Sequence, residues 1–295
     1  MVDFSEKFEQ YKVMTEQYLA ALQKDMLEHA GYYKQLAEAM CYSLEAGGKR
    51  LRPVMLLAAT EMAGGDVQKA LPYAVSMELI HTSSLIHDDL PAMDNDDLRR
   101  GKPTNHKVFG EATAILAGDA MLLYPFELMA KASTDLNGVR ALGIIAECAG
   151  LNGMCGGQMI DLYYEGKQTN AEIIGELNRL KTGALFKASV CAGVALSGCD
   201  EEKYKAAELY GDKIGMAFQL VDDLLDNDPN AQTGKTKGSD IASDKSTYLS
   251  VYGEEKCRDL IVQCTEEAVV AIKNAFGEQS AFLVALAEKM ANRNQ

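Results

Sequence analysis

Apolar residues return at three- and four-residue intervals along almost the whole chain, as in Val54-Leu57-Ala58, Ile144-Ile145-Cys148, Leu209-Ile214-Ala217-Phe218-Val221 and Leu283-Leu286-Ala287-Met290. That period gives a helix one apolar face, and the two-residue alternation of half-buried strands is nearly absent. Only six prolines punctuate the 295 residues, and none falls between Pro125 and Pro229. Glycines mark the expected breaks instead: Gly47-Gly48, Gly64-Gly65, Gly101-Lys102-Pro103, Gly156-Gly157, Gly166-Lys167 and Gly198, followed by the polar stretch from Asn227 to Ser246. No composition shift or long linker divides the chain. The expectation is an all-α fold, a single domain over residues 1–295 built as one large bundle of ten or more helices around a central active-site cavity.

Composition narrows the partners. A formal charge of −14 leaves no basic stripe to displace counterions, so nucleic acid is not an expected partner. It does not exclude small anionic substrates, because local cations set the field of a site. No uninterrupted run of 18 apolar residues occurs, so no membrane span is expected. The opening Met1-Val2-Asp3-Phe4-Ser5-Glu6-Lys7 is acidic and amphipathic rather than a secretory leader. The seven cysteines show no C-x-x-C spacing and several sit on apolar helical faces. Buried free thiols and a cytoplasmic location are expected.

The chemistry gathers at two aspartate clusters. In the first, Asp88, Asp89 and Asp94 follow Ser84-Leu85-Ile86-His87; Pro91 disfavours helix at Leu90, so the helix should end near Asp89 and Asp94 should return as a rim. In the second, Asp222 and Asp226 share a helix face with Gln219 one turn earlier, and Asp223 stands about 100° round. Carboxylates this dense against apolar flanks repel unless a cation joins them, and Mg²⁺ takes one or two carboxylates together with substrate phosphates. All six aspartates are therefore candidate metal ligands. A calcium loop beginning at Asp226 fails, since Ala231 and Lys237 stand where glycine and glutamate are needed. A di-iron site at Glu78-x-x-His81 fails for want of a second such motif. Basic groups complement the acids: Gly47-Gly48-Lys49-Arg50-Leu51-Arg52-Pro53 before a helix, Arg99-Arg100 after the first cluster, and Lys181, Lys235 and Lys245 around the second.

With these motifs the chain resembles short-chain trans-prenyl diphosphate synthases of the bacterial farnesyl diphosphate synthase type. The likeness extends through Leu116-Ala117-Gly118-Asp119, Gly153-Met154-Cys155-Gly156-Gly157-Gln158, Lys181-Thr182-Gly183-Ala184-Leu185 and Phe218-Gln219-Leu220-Val221-Asp222-Asp223. The resemblance implies that Gly48, Lys49, Arg52, His81 and Arg100 bind isopentenyl diphosphate. It implies that Asp88, Asp89, Asp94 and Asp222 ligate Mg²⁺, three ions per site, with Mn²⁺ able to substitute. Arg99, Lys181, Thr182, Gln219 and Lys235 would serve the allylic diphosphate and its reacting carbons, and Lys245 would close the site. A homodimer acting on small diphosphates is implied as well. The expected reaction condenses isopentenyl diphosphate with dimethylallyl and geranyl diphosphates to farnesyl diphosphate.

Two positions depart from the pattern. The loop from Asp226 to Lys235 is one residue short, and Ser83 stands where farnesyl-producing relatives commonly carry an aromatic, five residues before the first aspartate. Five helical residues rise roughly 7.5 Å, the depth at which a growing chain meets the pocket floor. A serine there permits geranylgeranyl diphosphate, unless Tyr124 fills the space from the neighbouring wall; both outcomes stay open. A terpene cyclase has no need of the basic group Lys49, Arg52 and Arg100. A non-catalytic subunit has no need of two intact acidic motifs.

Overall fold

The structure is a computed structural model and describes residues 3–227 and 247–293. The helical period holds throughout it. The first half runs α1 (Phe4–His29), α2 (Lys34–Leu44), α3 (Leu51–Met62), α4 (Val67–Asp88), α5 (Asn105–Phe109), α6 (Glu111–Ala132) and α7 (Leu136–Ala149). The second runs α8 (Met154–Tyr164), α9 (Ala171–Asn178), a π-helical turn over Arg179–Gly183, α10 (Ala184–Leu196) and α11 (Glu201–Asp226). Then come α12 (Tyr248–Tyr252), α13 (Glu254–Phe276) and α14 (Ala281–Ala291). Short polar side chains start several of them: Asp66, Asp135, Asn170 and Asp200 each accept a backbone N–H of the first turn.

Helix α10 is apolar on nearly every side and is buried from Ala184 to Ala195 except at Lys187, as suits a central helix. It packs on α3, α7 and α11; α4 lies against α3 and α6, and α13 covers α11. A second cluster, including Leu19, Met40, Leu79 and Met121, joins α1, α2, α4 and α6. The all-helical bundle is therefore as expected.

Several local readings change. Gly156-Gly157 does not interrupt a helix but lies inside α8, while Gly101 turns a minimal hairpin, β1 (Leu98–Arg99) paired with β2 (Lys102–Pro103). Five cysteines are buried free thiols, but Cys155 is exposed on α8. Helix α6 and the stretch Glu254–Ala291 both reach a mean hydropathy of 1.2 over 18 residues, enough by length and composition to cross a membrane. The sequence reading looked for an unbroken apolar run, and Glu111, Asp119 and Glu127 interrupt α6 while its mean still reaches 1.2. Only 33% of that α6 window is buried, and Ile115, Leu116 and Leu123 lie exposed on its outer side.

Candidate active site

Helix α4 ends at Asp88, and the chain then folds back so that the Asp88 carbonyl accepts the Asp94 N–H at 2.8 Å. That return makes the rim. Asp89 is buried and gripped by Arg99, whose Nε donates at 2.9 Å and whose Nη2 reaches both Asp89 and Asp96. Burial nevertheless raises the Asp89 carboxyl to about 6, against the opposing pull of Arg99. The resemblance assigns Arg99 to the allylic diphosphate; here it holds the rim together, because opposite charges this close pair with each other.

On the opposite wall the second cluster divides. Asp223 turns inward, where Oδ1 accepts from Gln219 Nε2 at 2.9 Å and Oδ2 from the Tyr248 N–H at 2.8 Å. Its carboxylate anchors the start of α12. Asp222 and Asp226 occupy the other face and both pull on Arg293. Lys181 and Thr182 lie in the π-helical turn, an irregularity common at functional sites. Lys181 Nζ meets Asp161 Oδ2 at 2.5 Å, and Thr182 Oγ1 donates to Gln219 Oε1 at 3.1 Å. A Cβ on Gly157 would stand 2.2 Å from the Lys181 backbone nitrogen, so α8 approaches this turn as closely as a glycine allows. Lys235 and Lys245 lie outside the described residues.

The basic group sits at the start of α3. Arg50 has a left-handed backbone (φ 52°) and turns its side chain inward to Glu78 at 2.7 Å, Glu16 at 2.8 Å and the Leu44 carbonyl at 2.9 Å. It is a clamp between α1, α3 and α4 rather than a ligand. Glu78 also attracts Arg52 and Arg100, so one buried carboxylate steadies three arginines. Arg100 donates to the Gly47 carbonyl and rests on Gly48, where a Cβ would press its guanidinium at 3.0 Å. Arg52 stacks on Phe186 at 4.8 Å, and burial lowers it to about 10. Its Nε is buried with no hydrogen-bond partner among the described residues. Burial, then the field of Arg52, Arg100, Arg99 and Arg50, holds His81 well below the ordinary histidine range. Lys49 is lowered by burial and by Arg293, and raised by Asp222. The basic pocket thus adjoins the second acidic cluster.

The chain-length candidates lie in the seam of α4 and α6. The Ser76 hydroxyl reaches the Pro125 carbonyl at 3.3 Å, and His87 lies against Gly118 about three turns further along α4, so the buried Ser83 between them faces α6. Its hydroxyl is satisfied by the Ile80 carbonyl at 2.7 Å. Tyr124 packs on the cluster containing Leu19, Leu79 and Met121, whereas Leu122 and Phe126 pack on the cluster containing Met77 and Ile80.

Among the described residues no three carboxylate, imidazole or thiolate groups form a ready-made metal cage. Mg²⁺ bound through one or two carboxylates and substrate phosphates needs none. Asp88 with Asp94, and Asp222 with Asp226, are hard-oxygen donors of the kind it takes.

Sequence reasoning missed Asp161 and the Glu16–Arg50–Glu78 clamp, and took Arg293 only as the C-terminal limit of the resemblance, with no role. Asp161 lies three residues after Gln158 on α8, so the motif's own helical spacing could have found it. Glu78 had been noticed only as a metal motif.

Residues 33–281 match the family model described as polyprenyl synthetase. A chloroplastic geranylgeranyl pyrophosphate synthase of Catharanthus roseus is 43% identical over 265 residues, covering 88% of this chain and 74% of the relative. A farnesyl diphosphate synthase of Geobacillus stearothermophilus is 43% identical over 246 residues, covering 82% and 83%. The crystal structure of a geranyltransferase from Legionella pneumophila superposes with a TM-score of 0.85 at 32% identity, over 99% of this chain and 97% of that one. Bundle, motifs and relatives agree, and the chain belongs to the polyprenyl synthetase family.

Proposed function

We propose that this chain is a Mg²⁺-dependent trans-prenyltransferase that condenses isopentenyl diphosphate with dimethylallyl and geranyl diphosphates to (2E,6E)-farnesyl diphosphate. The observation that carries the reading is the adjacency of two anion sites: Lys49 and Arg52 both feel the charge of Asp222 across the boundary between them. A cyclase acts on one diphosphate. Two neighbouring sites fit an enzyme that joins two.

Lys49, Arg52, His81 and Arg100 seat the diphosphate of isopentenyl diphosphate. Arg99 and Lys181 turn from Asp89 and Asp161 to the allylic diphosphate, so its oxygens replace carboxylate partners already at hand. Asp88, Asp89, Asp94, Asp222 and Asp226 would hold Mg²⁺, which when bound would supply charge neutralisation to the departing diphosphate. The allylic C–O bond breaks with its electron pair leaving on diphosphate oxygen, and the double bond of isopentenyl diphosphate closes the new C–C bond. The departed diphosphate accepts the proton whose loss forms the product double bond. Apolar walls exclude water from the cation.

A second reading, continuation to geranylgeranyl diphosphate, is favoured by Ser83, which is small and buried. Incubation with labelled isopentenyl diphosphate and dimethylallyl diphosphate, followed by chain-length analysis, tests both. A C15 product supports the farnesyl reading and a C20 product the second. Ser83→Tyr is expected to shorten the product distribution if Ser83 forms the floor. An Asp222→Ala control is expected to lose about 10²-fold or more in turnover, the scale of a lost transition-state charge contact; wild-type turnover there would overturn the shared diphosphate site.

The homodimer is proposed too, with the outer side of α6 (Ile115, Leu116 and Leu123) as the face that a second copy covers.

A further inference from the structure

Arg293 lies just beyond α14 and reaches back onto α11. Its Nη2 donates to the Phe218 carbonyl at 3.1 Å and to the carboxylate of Asp222, and its Cζ stacks 3.8 Å from the centre of the Phe218 ring. The side chain is only 13% exposed. Nε is buried with no hydrogen-bond partner among the described residues. Asp226 adds to the attraction, and Lys49 feels the guanidinium from the other side. A cation is thus seated on the carboxylate oxygen assigned above to a divalent ion. A guanidinium and a divalent ion drawn to the same carboxylate repel each other, so each weakens the other's hold on it.

We propose that Arg293 is a built-in competitor of the divalent ion: it holds Asp222 before loading, and metal with diphosphate displaces it. This rests on the reading of Asp222 as a metal ligand. The competition has two consequences. It sets the metal concentration at which the second acidic cluster loads, since the ion must first break a charge-assisted contact. It also ties loading to the C-terminal segment, because the same guanidinium fastens the end of α14 to Phe218 of α11. The unpartnered Nε is consistent with a contact made to be broken, since an arginine fixed for structure alone satisfies its buried donors.

The test is Mn²⁺ binding to the purified full chain, followed by electron paramagnetic resonance with inorganic pyrophosphate present. Arg293→Gln is expected to bind Mn²⁺ about five- to tenfold more tightly than wild type, the scale of losing one competing charge-assisted contact on a partly exposed carboxylate. Arg293→Lys, which keeps the charge, should stay close to wild type. Unchanged or weaker binding by Arg293→Gln overturns the proposal. Should that variant fail to fold, hydrogen exchange on the wild type decides: amides in the last turn of α14 exchange faster once Mn²⁺ and pyrophosphate are added, and an unchanged rate refutes the displacement. Asp222→Asn separates the two layers of the argument. If it binds Mn²⁺ like wild type, the assignment of Asp222 as a ligand fails, and the competition fails with it. If only Asp222→Asn loses Mn²⁺ while Arg293→Gln matches wild type, the metal site stands and the competition alone is refuted.

Discussion

A glutamate only 2% exposed is held at position 78 because Arg50 donates to it and Arg52 and Arg100 lie within its field. Removing one partner of such a pair leaves the other charged and buried, at a cost of about 3–5 kcal/mol. Glu78→Ala is therefore expected to lower unfolding free energy by that amount in urea titration, and a loss under about 1 kcal/mol would mean the clamp bears little of the fold. His81 gives the pH dependence. Its folded pKa is depressed, so on acidification the unfolded chain takes up the proton first, near the ordinary value of about 6.5. Stability from this group is complete above that pH and falls as pH drops toward the lower folded value, by up to ~1.4 kcal/mol per unit. His81→Asn should flatten the urea-midpoint profile between about pH 7 and pH 5; an unchanged slope would place the acid sensitivity elsewhere. At this scale the residue types and most of their sites were legible. Asp88 and Asp222 stand where a rim and a stripe were read, because their spacing is local. The contact of Asp223 with the Tyr248 N–H was not legible, since it depends on where α12 packs.

The elements carry the same lesson with one surprise. The motif Lys181-Thr182-Gly183 was read in sequence, but not that it forms a π-helical turn pressed against Gly157 of α8. Helix periodicity does not distinguish one widened turn, and the two glycines of α8 look like a break until their neighbour is known. A Cβ at Gly157 would collide with backbone rather than a movable side-chain end. Gly157→Ala should therefore shift the turn, costing about 1–3 kcal/mol of stability by overpacking. The displaced Lys181 and Thr182 should reduce kcat by about 10²-fold, the effect of a misplacement near 1 Å. Melting temperature and steady-state kinetics check the two parts, and wild-type kcat would show that the turn adapts. Helix ends were the more legible part: α4 stops one residue from where Pro91 placed its end.

For the whole molecule, the outer side of α6 is the feature the monomer leaves unexplained. Its inner face buries Ala114, Ala117 and Met121, while Leu116 and Leu123 are 57% and 67% exposed. Exposed leucines on a helix this apolar fit a covered interface. Light scattering is expected to give twice the chain mass, and Leu116→Asp with Leu123→Asp should give single chains. A wild-type monomer would refute the dimer, and a variant that remains dimeric would move its interface elsewhere.

The sequence by itself determined the helical class, the two acidic clusters and the basic turn, because each rests on spacing within one or two turns of chain. It could also point to the family, since those motifs recur together. Only the tertiary structure decided that Arg50 is a clamp, that Asp223 anchors the start of α12, and that Lys49, Asp222 and Arg293 meet at one place. These are relations between α3, α11 and the C-terminal end, more than two hundred residues apart along the chain in the widest case. Burial and charge balance arise when helices pack, and no local pattern encodes which distant cation will stand beside a given carboxylate.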